Sequence, residues 1–279
     1  MDVRKHFPES VLVLVSFSLL ILLATSMSFP DYIAGQDISD PEKKKKENID
    51  FRTPDRGYQT VKRGKWTFEV EQQLITENPA IAQKALIRLQ ENLDETFRIL
   101  PKPAHPVLKE LKFYVLYGPK SHGGGLDNGL EYFAHNAPKF NPKLDERWSS
   151  CLLVYCAENY TQLSNLWALK AVLHELGHAH HKEHWEEDQA DIMAAWKNAV
   201  DKGLYVNVRE DTGKTIPKAY ALTNQLEYFA ELTTLYFAKC NYAPFDRAGL
   251  KKYDPVGFAM IQKMWGLTKK DPAPPPTVN

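Results

Sequence analysis

Two histidines and a glutamate in His174-Glu175-Leu176-Gly177-His178 form the pattern with the clearest chemistry in this sequence. At 3.6 residues per turn, imidazoles four positions apart lie one above the other on a helix face and can share one metal ion. Glu175, next to the first imidazole, stands where its carboxylate can take a proton from water that a zinc ion has acidified. The flanking residues agree with a helix: Leu166, Leu169, Leu173, Leu176 and His180 recur at spacings of three and four beside the histidine stripe. Such a helix buries one side and presents its imidazoles at the rim of a cleft. The bland reading of the same residues is a surface helix whose histidines decorate an exposed face.

A catalytic zinc needs a third protein ligand and one open position. His184 lies six residues beyond His178, the offset found in metzincins, where a glycine at the intermediate position lets the chain turn sharply. Here that position is His181. A helix that continues through it rotates residue 184 about 240° from His178, near but not on the ligand face. The other candidate is Glu227, in Glu227-Tyr228-Phe229-Ala230-Glu231, whose two carboxylates share a face beside the stripe Leu226, Phe229, Ala230, Thr233 and Phe237. One carboxylate can bind metal while the other orients a ligand. Glu227 also fits the last place of a capping box that starts at Asn224, unless Thr223 is the cap. The physical argument favours Glu227. The acids Glu183, Glu186, Glu187, Asp188 and Asp191 suit the start of a helix and are read as mostly solvated.

The combination of His-Glu-Leu-Gly-His with the later Tyr220-Ala-Leu-Thr-Asn-Gln-Leu-Glu227-Tyr-Phe-Ala-Glu231 resembles the metallopeptidase domain related to anthrax toxin lethal factor. The resemblance covers residues 174–237 and departs between the two motifs. It implies a zincin-like α+β domain, Zn2+ as cofactor, Glu227 as third ligand beside His174 and His178, and Tyr220 as the hydroxyl that stabilises an oxyanion. Glu231 is then the outer carboxylate that orients a ligating histidine. The expected activity is hydrolysis of peptide or protein substrates, with residues 151–156 as the edge strand along which an extended peptide pairs. The competing expectations are a zinc-stabilised binding or toxin-like module without turnover and a zinc hydrolase of a non-peptide amide.

The rest of the chain must position this site. With 43% hydrophobic and 25% charged residues, 279 residues suffice for one domain of about 200 residues with appendages. Lys plus Arg equals Asp plus Glu at 35 each, so no overall field favours nucleic acid or an anionic membrane. A monomer is expected. Arg4, Lys5 and His6 precede an apolar run over residues 11–24, which predicts a secretory signal peptide spanning 1–26, with an uncleaved membrane anchor as the rival. Either places the body outside the cytosol, and the sequon Asn159-Tyr160-Thr161 is compatible with that. Residues 27–62 read as a polar linker, 63–270 as the catalytic domain and 271–279 as a proline-rich tail. Within the domain, Trp66, Phe68 and Val70 alternate as in a half-buried strand, and Leu86, Leu89, Leu93, Phe97 and Leu100 mark a helix between Pro79 and Pro101. Residues 113–117 and 152–155 read as strands, and 121–145, with its triple glycine, as a loop. Helices follow over 162–182, 187–202, 224–239 and, as a short pair, 246–265.

Cys151 and Cys156 are separated by an odd number of positions, on opposite faces of a strand and roughly 16 Å apart when extended, too far for a bridge. In an oxidising compartment Cys240 is therefore expected to pair with one of them.

Overall fold

The computed structural model describes residues 49–52 and 56–267. The expected signal peptide and the proline-rich tail lie outside the described residues. Five strands form one sheet: β1 (Tyr58–Arg63), β2 (Trp66–Glu71), β3 (Lys112–Val115), β4 (Leu130–Phe133) and β5 (Cys151–Val154), in the order β1-β2-β3-β5-β4. β2, β3 and β5 run parallel, while β1 and β4 run antiparallel at the two edges. The longer helices are α1 (Pro79–Ile99), α2 (Asn165–His184), α3 (Ala190–Asp201), α4 (Gln225–Phe237), α5 (Arg247–Tyr253) and α6 (Pro255–Met264). A small hairpin, β6 (Val206–Arg209) with β7 (Thr215–Lys218), stands between α3 and α4. The class is α+β, as the order of the sequence patterns predicts.

Both faces of the sheet are covered, and the period-two alternation of the strands divides them. Phe113, Val115, Leu152 and Val154 join the main core with Leu86, Leu89 and Leu93 of α1 and with Leu173 and Leu176 of α2. Tyr114, Leu116, Leu153 and Tyr155 face a second core with Phe51, Phe133 and Trp148. Strands buried on both sides read as nearly continuous apolar runs, which is how β3 and β5 appear in the sequence. The predicted α1 stripe is buried throughout, and Asn78 caps its first turn by accepting from the Ile81 N–H.

Three expectations are corrected. The polar linker does not extend to residue 62, because β1 lies inside that span and Phe51 is a member of the second core. Arg56 is buried as well: it pairs with Glu71 at 2.9 Å and donates to Ser121 Oγ and to the carbonyls of Gly123 and Gly124. The triple glycine is thus where backbone carbonyls turn inward to a guanidinium. Second, residues 121–145 contain β4, a strand whose four residues, Leu-Glu-Tyr-Phe, are too few to show a period. Third, β5 is not the edge strand, since β4 pairs along its far side.

Arg56→Met should leave Glu71 as an unpaired buried carboxylate and cost about 3–5 kcal/mol of stability. Urea unfolding of the purified chain measures this, and a loss under about 1 kcal/mol would show that the pair does not hold the N-terminal segment to the glycine turn.

Candidate metal centre

Helix α2 starts where Ser164 accepts from the Trp167 N–H and runs unbroken to His184, so the chain does not turn away after His178. It is buried along most of its length, with Leu173, Leu176 and Ala179 inaccessible to solvent. Helix α4 crosses it closely at Gly177. A methyl group there would come within 3.2 Å of the Ala230 Cα, so the glycine in the middle of the motif allows the two backbones to approach. That approach carries Glu227 and Glu231, one turn apart on α4, against His174.

Three ligand atoms converge. His174 Nε2 lies 3.0 Å from Glu227 Oε2 and 3.1 Å from His178 Nε2, and His178 Nε2 lies 3.2 Å from the same Glu227 oxygen. Ligands at zinc-like distances around a tetrahedral ion stand about 3.3 Å from one another, so this triangle has the size of a metal's coordination shell. His174, His178 and Glu227 are the group that can hold a metal ion among the described residues. The side chains of His178 and Glu227 each keep 12% exposure, which leaves the triangle reachable from solvent on that side. Asn224 caps α4 by accepting from the Glu227 N–H, but the Glu227 carboxylate turns to the imidazoles instead of completing a capping box.

The surrounding groups orient these atoms. Glu231 Oε1 accepts from His174 Nδ1 at 2.9 Å, which leaves Nε2 directed at the triangle. Glu175 is buried, and its Oε2 accepts from the Tyr132 N–H of β4 at 2.8 Å. The Tyr132 hydroxyl reaches on to Glu183 of α2, so β4 is tied to the helix at two points. Tyr220, in a short 3-10 turn before α4, stacks on the His174 ring with centroids 5.8 Å apart. His184 is exposed and its Nδ1 engages the His180 carbonyl, so it stands apart from the triangle as the continuing helix predicts.

Electrostatically the pocket is prepared for positive charge. Burial alone pushes the His174 imidazole toward neutrality, but the Glu227 and Glu231 carboxylates outweigh it and hold its pKa up at about 10. Burial opposes ionisation of Glu231 too, yet Lys170 and His174 bring it down to about 2. Glu227 lies well below the usual carboxylate range because His178 and His174 overcome its burial. Glu175 is shifted the other way: burial raises it more than the two histidines lower it.

The expected disulfide of Cys240 is absent, and all three cysteines are buried and free. Cys240 belongs to the main core beside Glu231, 3.6 Å from Oε2, whereas Cys151 points into the second core across the sheet. Cys156, just past β5, sits against Gly118. Burial pushes the Cys240 thiol up to about 12.

No protein-family model matches this sequence, and a comparison with the curated proteins finds no match.

A divalent metal should bind at about one ion per chain, with zinc as the probe ion. Glu227→Gln should weaken it more than about 100-fold, beyond the loss typical of an outer-sphere partner, while His184→Ala leaves it unchanged. Because the ion must displace the proton that the carboxylates hold on His174 below pH 10 or so, affinity should rise with pH through neutrality, about tenfold per unit for each proton released. Chelator competition across pH 6 to 8 measures both effects, and zinc retained in Glu227→Gln but lost in His184→Ala would reverse the ligand assignment.

Proposed function

We propose that this protein is a zinc-dependent peptidase of the zincin type. The observation that carries the reading is the convergence of two imidazole nitrogens and a carboxylate oxygen beside Glu175, a buried carboxylate that takes no part in the triangle. A purely structural zinc site would be closed by four protein ligands and would have no use for that base.

A zinc ion held by His174, His178 and Glu227 would supply Lewis acidity, acidifying water and polarising a carbonyl. Glu175, fixed by the Tyr132 N–H, takes the proton of the attacking water as its oxygen bonds to the carbonyl carbon. The same carboxyl returns the proton to the amine as the C–N bond breaks. Its raised pKa suits both halves of that exchange. Tyr220, whose ring stacks on His174, is assigned the role of donating to the oxygen that gains negative charge. Strand β4 lies at the sheet edge next to α2, the side on which an extended peptide would lie, and its Tyr132 N–H is engaged by Glu175.

Glu175→Gln should keep zinc and lose peptide cleavage by about 100-fold or more. Tyr220→Phe should keep zinc and lower kcat by about 100-fold, with little change in KM. The assay is digestion of a peptide library by the zinc-loaded protein. Cleavage that survives Glu175→Gln, or a wild type that binds zinc and cleaves nothing, would sink the peptidase reading, the second result favouring a binding module.

The proposal includes export from the cytosol, which rests on the apolar run over residues 11–24. Sequencing the N-terminus of the mature protein checks it: a start at Met27 is expected, and a retained Met1 on a cytosolic protein would refute it.

A further inference from the structure

We propose that Lys170 is a positioning residue of the metal centre, its buried ammonium clamping Glu231 so that the other carboxylate oxygen is presented to His174. This rests on the reading of His174, His178 and Glu227 as metal ligands and adds a residue that touches none of the three.

Lys170 lies one helical turn before His174 on α2, in the midst of the apolar residues that bury this helix. Its side chain is 3% exposed. The Nζ stands 3.0 Å from Glu231 Oε2 and 2.9 Å from Asn241 Oδ1, with the rings of Trp167 and Tyr242 at 4.9 and 5.1 Å. The Tyr242 hydroxyl donates to the same Glu231 oxygen at 2.5 Å. The two oxygens of Glu231 are therefore divided in their duties. Oε2 is held by Lys170 and Tyr242, and Oε1 is left to receive the His174 N–H at 2.9 Å. A carboxylate anchored by one oxygen cannot rotate freely about its last bond, so the direction of Oε1, and with it the plane of the imidazole, is fixed from behind. Lysine is rarely found fully buried unless paired, and here the pair leads through a single carboxylate to a ligand.

Two simpler roles make different predictions. An ion pair that only joins α2 to α4 would leave metal affinity unchanged when it is replaced. A charge acting through space would have the opposite sign, because removing a cation from behind the site should tighten the hold on a dication. Positioning alone predicts weaker binding.

The experiment measures zinc affinity of the purified full chain by chelator competition at neutral pH, in wild type, Lys170→Met, Glu231→Gln and the double variant. Lys170→Met should weaken zinc about 10- to 100-fold, the loss usual for outer partners of a ligating histidine. In the Glu231→Gln background the same substitution should change affinity by no more than about twofold, because its effect passes through the carboxylate. Substituted Co2+ should show a shifted visible spectrum in Lys170→Met if the imidazole plane has moved. Should Lys170→Met fail to fold, Lys170→Arg, which keeps the charge but cannot keep the same contact to Glu231 Oε2, takes its place, and unchanged zinc affinity there overturns the proposal, as does a further loss in the double variant relative to Glu231→Gln. Unchanged or tighter zinc binding in folded Lys170→Met overturns it as well, while the metal reading stands. A wild type that takes up no zinc overturns the metal reading and this inference together.

Discussion

The close crossing of α2 and α4 at Gly177 is the contact on which the candidate site depends. A side chain at that position would meet the Ala230 backbone at 3.2 Å, and the two helices would have to separate. Glutamate side chains reach only a few ångströms from their helix, so the spacing of the helices decides whether Glu227 and Glu231 arrive at His174 at all. The remaining parts act around that crossing. The sheet holds α2 from the side through Leu173 and Leu176, and Asn224 fixes the first turn of α4 so that Glu227 leaves the helix in the right direction.

The interior beside the crossing carries an unusual load of charge. Glu175, Glu231, His174 and Lys170 are all buried, which an apolar core would not tolerate without partners. Each has one: Glu175 accepts from a β4 N–H, Glu231 binds Lys170 and Tyr242, and His174 bridges the two α4 carboxylates. The network spans two helices, the edge strand and the segment at residues 241–242. A displacement of any one of these elements would strand a charge, which is why the geometry is held more tightly than apolar contacts alone would hold it.

Much of this was legible from residue types and spacing. The two histidines and Glu175 lie within one helical turn, so local sequence suffices to place them together. Glu227 is farther away in the chain, and its assignment needed the argument that His181 lets α2 continue, which the unbroken helix bears out. Lys170 leaves one visible signal in the sequence, a lysine one turn before His174 in an apolar helix. The strand β4 falls in a stretch that reads as loop, and the β6–β7 hairpin falls in the unassigned interval between two predicted helices, because four residues carry too little periodicity. The N-terminal boundary is hidden for another reason. Residues 49–63 look polar because Arg56 is buried by pairing, not by hydrophobicity, and Phe51 is an isolated aromatic whose partners come from the far end of the sheet.

Glu227 contacts both imidazoles, so one carboxylate ties two successive turns of α2 to the first turn of α4. A substitution that shortens this side chain removes a ligand atom of the candidate site and a cross-brace between the helices in one step. Glu227→Gln keeps the length of the side chain and one of its oxygens, and so separates the brace from the ligand.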